Sequence, residues 1–175
     1  SDENFLTVSA NSNATSGVFS IDINRLATAD TRVSRQYTST NTDFSNITSD
    51  QTFSISLAHP TTEDQNNRVT ISVTLSASTF QKTSEEVMDD VRDAINNSIN
   101  SAVTADTITS EEKISTSVVS ESEGKSRMVL RSNQTGYTNR LEITDSSDNL
   151  LSTLGILQSD GKYDPDNSHD YGYMT

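Results

Sequence analysis

Apolar and polar residues alternate along much of this chain, and the stretch GVFSIDINRLATADTRVS (17–34) shows both the pattern and a break in it. Phe19, Ile21 and Ile23 alternate with Ser20, Asp22 and Asn24, the period of two that turns one face of a strand toward a core. The next inward position is Arg25, yet the apolar residues are Leu26 and Ala27, after which Ala29, Thr31, Val33 and Tyr37 resume at odd positions. A bulge at Arg25–Leu26 accounts for the slip, because one extra residue moves the inward position to Leu26. The segment therefore predicts a strand, a corner, and a further strand over 29–38.

The same period recurs on both sides. NFLTVSA (4–10) reads as a strand joined to the one after it by the polar link NSNATS. TSTNTDFSNITSDQ (38–51) has almost no apolar support and reads as a linker or long loop. TFSISLAH (52–59) and RVTISVTLSA (68–77) form a pair across the eight-residue polar loop PTTEDQNN, with Phe53, Ile55 and Leu57 facing Val69, Ile71, Val73 and Leu75. Their outward positions, Ser54, Ser56, Thr70, Ser72 and Thr74, make hydroxyl-rich rows. Such rows fit a solvated sheet face, and they also fit a weakly adhesive one.

Beyond residue 82 the period changes. TSEEVMDDVRDAINNSINSAV (83–103) places Val87, Val91, Ile95 and Ile99 at steps of four, flanked by Met88, Ala94 and Ala102, which is the apolar stripe of an amphipathic helix. Thr83 and Glu86 form a capping-box pattern at its start. Glu85, Glu86, Asp89 and Asp90 suit the positive end of the helix dipole. Strands resume at KISTSVVSES (113–122), turn at Glu123-Gly124-Lys125, and return as SRMVLRSN (126–133) with Met128 and Leu130 inward. NQTGYTN is a turn, RLEITD (140–145) alternates Leu141 and Ile143, and NLLSTLGIL (149–157) is a short apolar helix or turn ended by Gly155. The remaining tail is turn-rich. The fold class is thus α+β, predominantly antiparallel β, with two small β-rich lobes and one amphipathic helix (about 83–103) packed on a sheet.

Taken in order, these pieces resemble the flagellar filament cap protein family, also called flagellar hook-associated protein 2 or FliD. GVFSIDINRLATADTRVS is similar to that family's strand, Leu-Ala step and second strand ending in Val-Ser. VTISVTLSASTFQKTSEEVMDDVRDAINNSINSAVTADTI is similar to its flagellin hook IN motif, in which a strand leads to a helix ending in Ile-Asn. SRMVLRSNQTGYTNRLEITD resembles the family's following strand, Thr-Gly turn and further strand, and LLSTLGIL its Leu-Gly segment. The resemblance spans roughly 5–157. The family's terminal heptad helices and the C-terminal half of its head fall outside this sequence, which also begins inside a strand pattern. The resemblance therefore implies a distal head fragment of a longer, coiled-coil-anchored subunit.

It implies a structural, non-catalytic role at the filament tip, outside the cell, after export without a cleaved signal peptide. The implied partners are further copies of itself and flagellin, with a host surface or glycan as a further candidate. The implied division sets 1–48 plus 160–175, part of a first head lobe, against 49–159, an inserted second lobe with the hook IN motif. Without the anchoring helices, the fragment is expected to be a monomer or a weak oligomer.

Composition sharpens this picture. The chain has 175 residues, 31% hydrophobic, with a formal net charge of −13. Those values lean toward disorder, but the periodic segments instead predict thin cores under a hydrophilic surface. A sequence pI near 4.3 disfavours nucleic acid and anionic lipid, both of which repel an acidic surface. No apolar run approaches the roughly 20 residues that span a bilayer. Cysteine is absent, which removes disulfides, thiolate chemistry and thiolate metal sites together.

Candidate chemistry is sparse. Of the two histidines, His59 precedes Pro60 in a loop and His169 lies in the tail, neither within a motif. No G-x-S-x-G or H-E-x-x-H pattern is present, and the paired carboxylates belong to the helix start, so no catalytic residue, cofactor or metal site is assigned. DPDNSHD (164–170) offers Asp164, Asp166, Asn167 and Asp170 as hard oxygen donors, but lacks the glycine and distal glutamate of an EF-hand and is read as an acidic solvated tail. Sequons at Asn13, Asn46, Asn96 and Asn133 are read as chance products of an Asn/Ser/Thr-rich chain. A carbohydrate-binding or adhesin-like β domain, the alternative to the cap, should cluster aromatics for stacking. Here aromatics are 6% and tryptophan is absent, and only Tyr163, Tyr171 and Tyr173 cluster.

Overall fold

Antiparallel pairing organises the described residues into two sheets that share one helix and one core. The computed structural model describes residues 11–13, 15, 17, 18, 20 and 26–157, together with the backbone of a strand at 172–174. The described elements are β1 (Ala29–Val33), β2 (Tyr37–Thr38), β3 (Gln51–Ala58), β4 (Arg68–Leu75), α1 (Ser84–Thr104), β5 (Ile114–Ser122), β6 (Lys125–Thr135), β7 (Glu142–Thr144), α2 (Leu150–Leu154) and β8 (Gly172–Met174). One sheet is built around β6, the longest strand, which pairs with β5 on one side and with β1 and then β2 on the other, β8 lying beyond β1. The second sheet has the order β4-β3-β7. The predicted α+β class and antiparallel pairing hold, as does the main helix.

Helix α1 joins the sheets. Its stripe of Val87, Met88, Val91, Ile95 and Ile99 is buried and packs against β4 of one sheet and β5 of the other. Fully burying a side chain of this kind contributes about 2 kcal/mol, so the stripe alone explains why this segment is helical in context. The capping box is complete: Thr83 Oγ1 accepts from Glu86 N–H, and the Glu86 carboxylate accepts from Thr83 N–H at 3.0 Å. The bond that the Thr83 hydroxyl donates to the Glu86 carboxyl, and after it the one from Thr83 N–H, hold that carboxyl below its ordinary value. At the other end Asp106 takes a left-handed φ of 54°, a conformation a short polar side chain tolerates, and the helix stops.

The pairing of β3 with β4 follows the predicted register without interruption, with Phe53 opposite Val73 and Ile55 opposite Ile71. Gly124 supplies the positive φ, 68°, that the tight β5–β6 turn requires. Asn96 fastens α1 to β5: its side-chain amide donates to Thr116 O at 3.1 Å and accepts from Thr116 N–H at 3.3 Å.

Four sequence expectations need correction. Leu26 is 62% exposed, so the proposed bulge does not carry it inward. The irregularity lies further on, where Ala29 pairs with Thr135 but Thr31 pairs with Arg131, so that β6 holds the extra residues opposite Asp30. The 29–38 strand is interrupted at 34–36, dividing β1 from β2. Segment 38–51 is not a passive linker. Phe44 and Ile47 are buried in the common core, the Phe44 ring lies 4.9 Å from that of Tyr37, and Ser39 O and Asn41 O accept from the first amides of α1. Those helix-start N–H groups would otherwise be unsatisfied, which is why a polar segment folds down here. Finally, the turn-rich tail contains strand β8, hydrogen-bonded to β1. The strands expected at 4–10 and 17–27 lie largely outside the described residues.

β1 and β2, on one side of the expected boundary at residue 48, are hydrogen-bonded to β6 on its other side.

Candidate functional site

The hydroxyl rows read from sequence come together on one face of the β4-β3-β7 sheet. Cross-strand pairing sets Thr52 opposite Thr74, Ser54 opposite Ser72 and Ser56 opposite Thr70, while β7 adds Thr144 beside Ser54 and Glu142 beside Ser56. Thr52 and Thr74 bond hydroxyl to hydroxyl at 3.0 Å. Thr70, Ser72 and Thr74 are exposed, whereas Ser54 and Ser56, on the central strand, are half-buried between their neighbours. The opposite face of the same strands carries Phe53, Ile55, Ile71 and Val73 into the core. What this face can do chemically is exchange hydrogen bonds, since it has neither a nucleophile–base pair nor a charge cluster along the strands.

One end of the face carries charge, and the sequence pattern did not signal it. Arg68 donates to Ser56 O on β3, to Thr138 O at 3.1 Å and to Arg140 O at 2.8 Å, and pairs with Glu142 at 3.1 Å. A single guanidinium thereby pins the chain between β6 and β7 to the edge of the β3–β4 hairpin. Burial holds the Arg68 guanidinium below its ordinary value, with Glu142 acting in the opposite sense. Beside it Arg140 pairs with Glu142 and sits over the ring of Tyr137, 4.2 Å from its centroid. Tyr137 is 80% exposed. An arginine over an exposed tyrosine is the residue combination enriched in interface anchors.

The remaining sequence candidates are dispersed. His59 Nδ1 lies 2.9 Å from Glu112 Oε2, and the same carboxylate accepts from Thr109 N–H at 2.7 Å. Partial burial pushes the Glu112 carboxyl up, but the bonds from Thr109 and His59 outweigh it and leave it below its ordinary value. The arrangement clips the end of β3 to the α1–β5 connection and has no nucleophile beside it. His169, the 164–170 run, Tyr163 and Tyr171 lie outside the described residues, and of Tyr173 only the backbone, in β8, is described. Among the described residues no group of three metal-ligating side chains converges, and no helix is long and apolar enough to cross a membrane. Of the sequons, Asn13, Asn46 and Asn133 are exposed, but the amide of Asn96 is engaged by Thr116. A shallow concavity of about 620 Å³ near the end of α1, lined by Asn97, Asn100, Ser101 and Thr104, is open to solvent.

Just beyond β7 a part-buried carboxylate starts α2. Asp145 accepts from the amides of Leu151 and Ser152, both at 2.8 Å, satisfying the start of α2. Gly155, at φ 84°, ends that helix, with Ile156 N–H donating back to Leu151 O at 2.9 Å.

No protein-family model and no curated protein sequence matches this chain. Solved structures do, among them two of one flagellar cap protein. The D2-D3 domains of the flagellar cap protein FliD from Escherichia coli align with 94% of this chain and 69% of that one, at 23% identity and a TM-score of 0.57. The D1-D2-D3 domains of the same protein align with 86% of this chain at 23% identity and a TM-score of 0.53, and this chain covers 34% of that one. The fold of this chain is therefore similar to that of the D2-D3 domains of flagellar cap protein FliD.

Proposed function

We propose that this chain is the head region of a flagellar filament cap subunit, a structural and non-catalytic element. It acts at the filament tip, outside the cell, where copies of the whole subunit assemble and assist the incorporation of flagellin. The observation that carries this reading is the fold likeness to the FliD head domains along nearly the whole chain. It is supported by the order of the sequence pieces, which matches that family's order, and by the exposed sheet face, whose hydroxyl rows offer hydrogen bonds. Within this reading, residues 49–159 form the inserted lobe and 1–48 with 160–175 part of the first, so that β1 and β2 are the strands by which the first lobe is stitched to β6.

The test is deletion of the segment encoding these residues from its chromosomal gene, followed by electron microscopy of filaments and measurement of flagellin in the medium. Short or missing filaments with unpolymerised flagellin in the supernatant are expected. Filaments of normal length with no flagellin leakage overturn the proposal.

A further inference from the structure

Every sheet edge raises the question of what prevents another strand from adding to it, and the described edges answer it unequally. β7 is three residues long. β5 carries a register shift between Ser120 and Ser122. There Glu121, held by Arg127 at 2.8 Å and Gln36 at 2.7 Å, is left without a partner in the ladder and puts a charge on the edge. β4 has none of these devices. It runs eight residues in unbroken register with β3, and from Val69 to Leu75 it contains no charge, proline or glycine. Among the described residues, no backbone or side-chain group is hydrogen-bonded to its outer edge.

Its sequence is also self-complementary. Reading outward from Ser72, Ile71 matches Val73, Thr70 matches Thr74 and Val69 matches Leu75. Two copies of β4 laid antiparallel about Ser72 would place hydroxyl opposite hydroxyl on the solvent face and branched apolar opposite branched apolar on the core face, the pairing sheets favour. The uncharged run lets two strongly acidic chains approach along this line. We infer that β4 is a self-association edge, at which two copies of this chain join antiparallel about Ser72 into one continuous six-stranded sheet. The contact is small and backbone-mediated, so it is weak and concentration-dependent. The inference concerns this chain alone and does not rest on the cap reading.

Sedimentation analysis over a wide concentration range tests it, with circular dichroism and melting curves confirming that each variant is folded. The pair of variants is chosen for register: Thr70 of one copy faces Thr74 of the other. Thr70→Lys with Thr74→Lys sets like charges opposite each other twice and is expected to weaken dimerisation by about tenfold or more. That variant is less negative overall, which by itself would favour association. Thr70→Lys with Thr74→Glu sets opposite charges together and is expected to dimerise at least as tightly as the unaltered chain. The β4 backbone amides that point away from β3 should gain protection from exchange as concentration rises. A chain that stays monomeric, variants that dimerise equally, or those outward amides already fully protected in the dilute monomer would each overturn the inference.

Discussion

The Asp30 carboxylate accepts the backbone N–H of Leu141 at 2.7 Å, while Arg32, two residues along the same strand, donates to the carbonyl of that same leucine at 2.8 Å. Asp30 and Arg32 also pair with each other at 3.1 Å and are only 5% and 3% exposed. A buried ion pair is thus closed by both polar groups of one residue at the entrance to β7, and it couples the sheet containing β1 to the sheet containing β3. Removing one partner of such a pair leaves the other charge buried. Asp30→Ala is therefore expected to lower unfolding stability by about 3–5 kcal/mol, and replacing both residues by apolar ones to recover much of that loss. Chemical denaturation of the three variants measures it, and a loss under about 1 kcal/mol for Asp30→Ala would contradict the coupling.

Gly155 and Gly124 both have positive φ, 84° and 68°, but differ in their surroundings. A Cβ at Gly155 would lie 2.4 Å from Arg35 Cγ, whereas one at Gly124 meets nothing within 4 Å. Gly124→Ala should cost about 1–2 kcal/mol from backbone conformation alone. Gly155→Ala should cost clearly more, because Arg35 must also move. Equal midpoints in a denaturation series would refute the steric part.

Phe44→Ala is expected to cost about 3–5 kcal/mol, although the residue lies in a segment whose composition suggests a loop. A loss below 1 kcal/mol would mean that 38–51 does not support the core.

Tyr37 donates its hydroxyl to Thr153 O, and burial pushes it up to about 12, with Arg35 opposing the shift. Because the folded value lies above the unfolded one of about 10, the associated stability is complete below pH 10 and disappears as pH rises through about 12. Absorbance titration should show a phase near 12 that Tyr37→Phe abolishes. Persistence of that phase in the variant would assign it elsewhere.

Glu112 behaves in the opposite sense. Its carboxyl is held below the ordinary value of 4.5, so its contribution is present above that pH and is lost as pH falls through the lower folded value. The stability difference between the unaltered chain and Glu112→Gln should therefore shrink on acidification. A constant difference down to pH 2 would show that the carboxylate charge is not what matters.

How much of this was readable from sequence depends on whether the cause is local. The α1 stripe and its capping box are set by residues within a turn of each other, and the β3–β4 register by simple alternation, so both appear in the structure as the pattern implies. Phe44 and Ile47 are isolated apolar residues in a polar stretch and have no period to reveal them. Asp30 and Arg32 occupy inward positions that a pattern assigns to solvent. Their burial becomes intelligible only with Leu141, 109 residues beyond Arg32. Leu26 shows the reverse error, an apolar residue whose place in an alternation suggested burial it does not have. The hydroxyl face was legible as rows, but the Arg68 bracket at its end was not, because three of its acceptors are backbone carbonyls that no residue type announces.

The position of α1 against both sheets has a consequence for how the molecule opens. Neither sheet can release its inner face without uncovering the same helix stripe, and the Leu141 bracket binds them a second time. The described region should accordingly lose its structure in one step. Slow-exchanging amides of β3 and of β6 should then share a single opening free energy, so that β3, α1 and β6 behave as one cooperative unit.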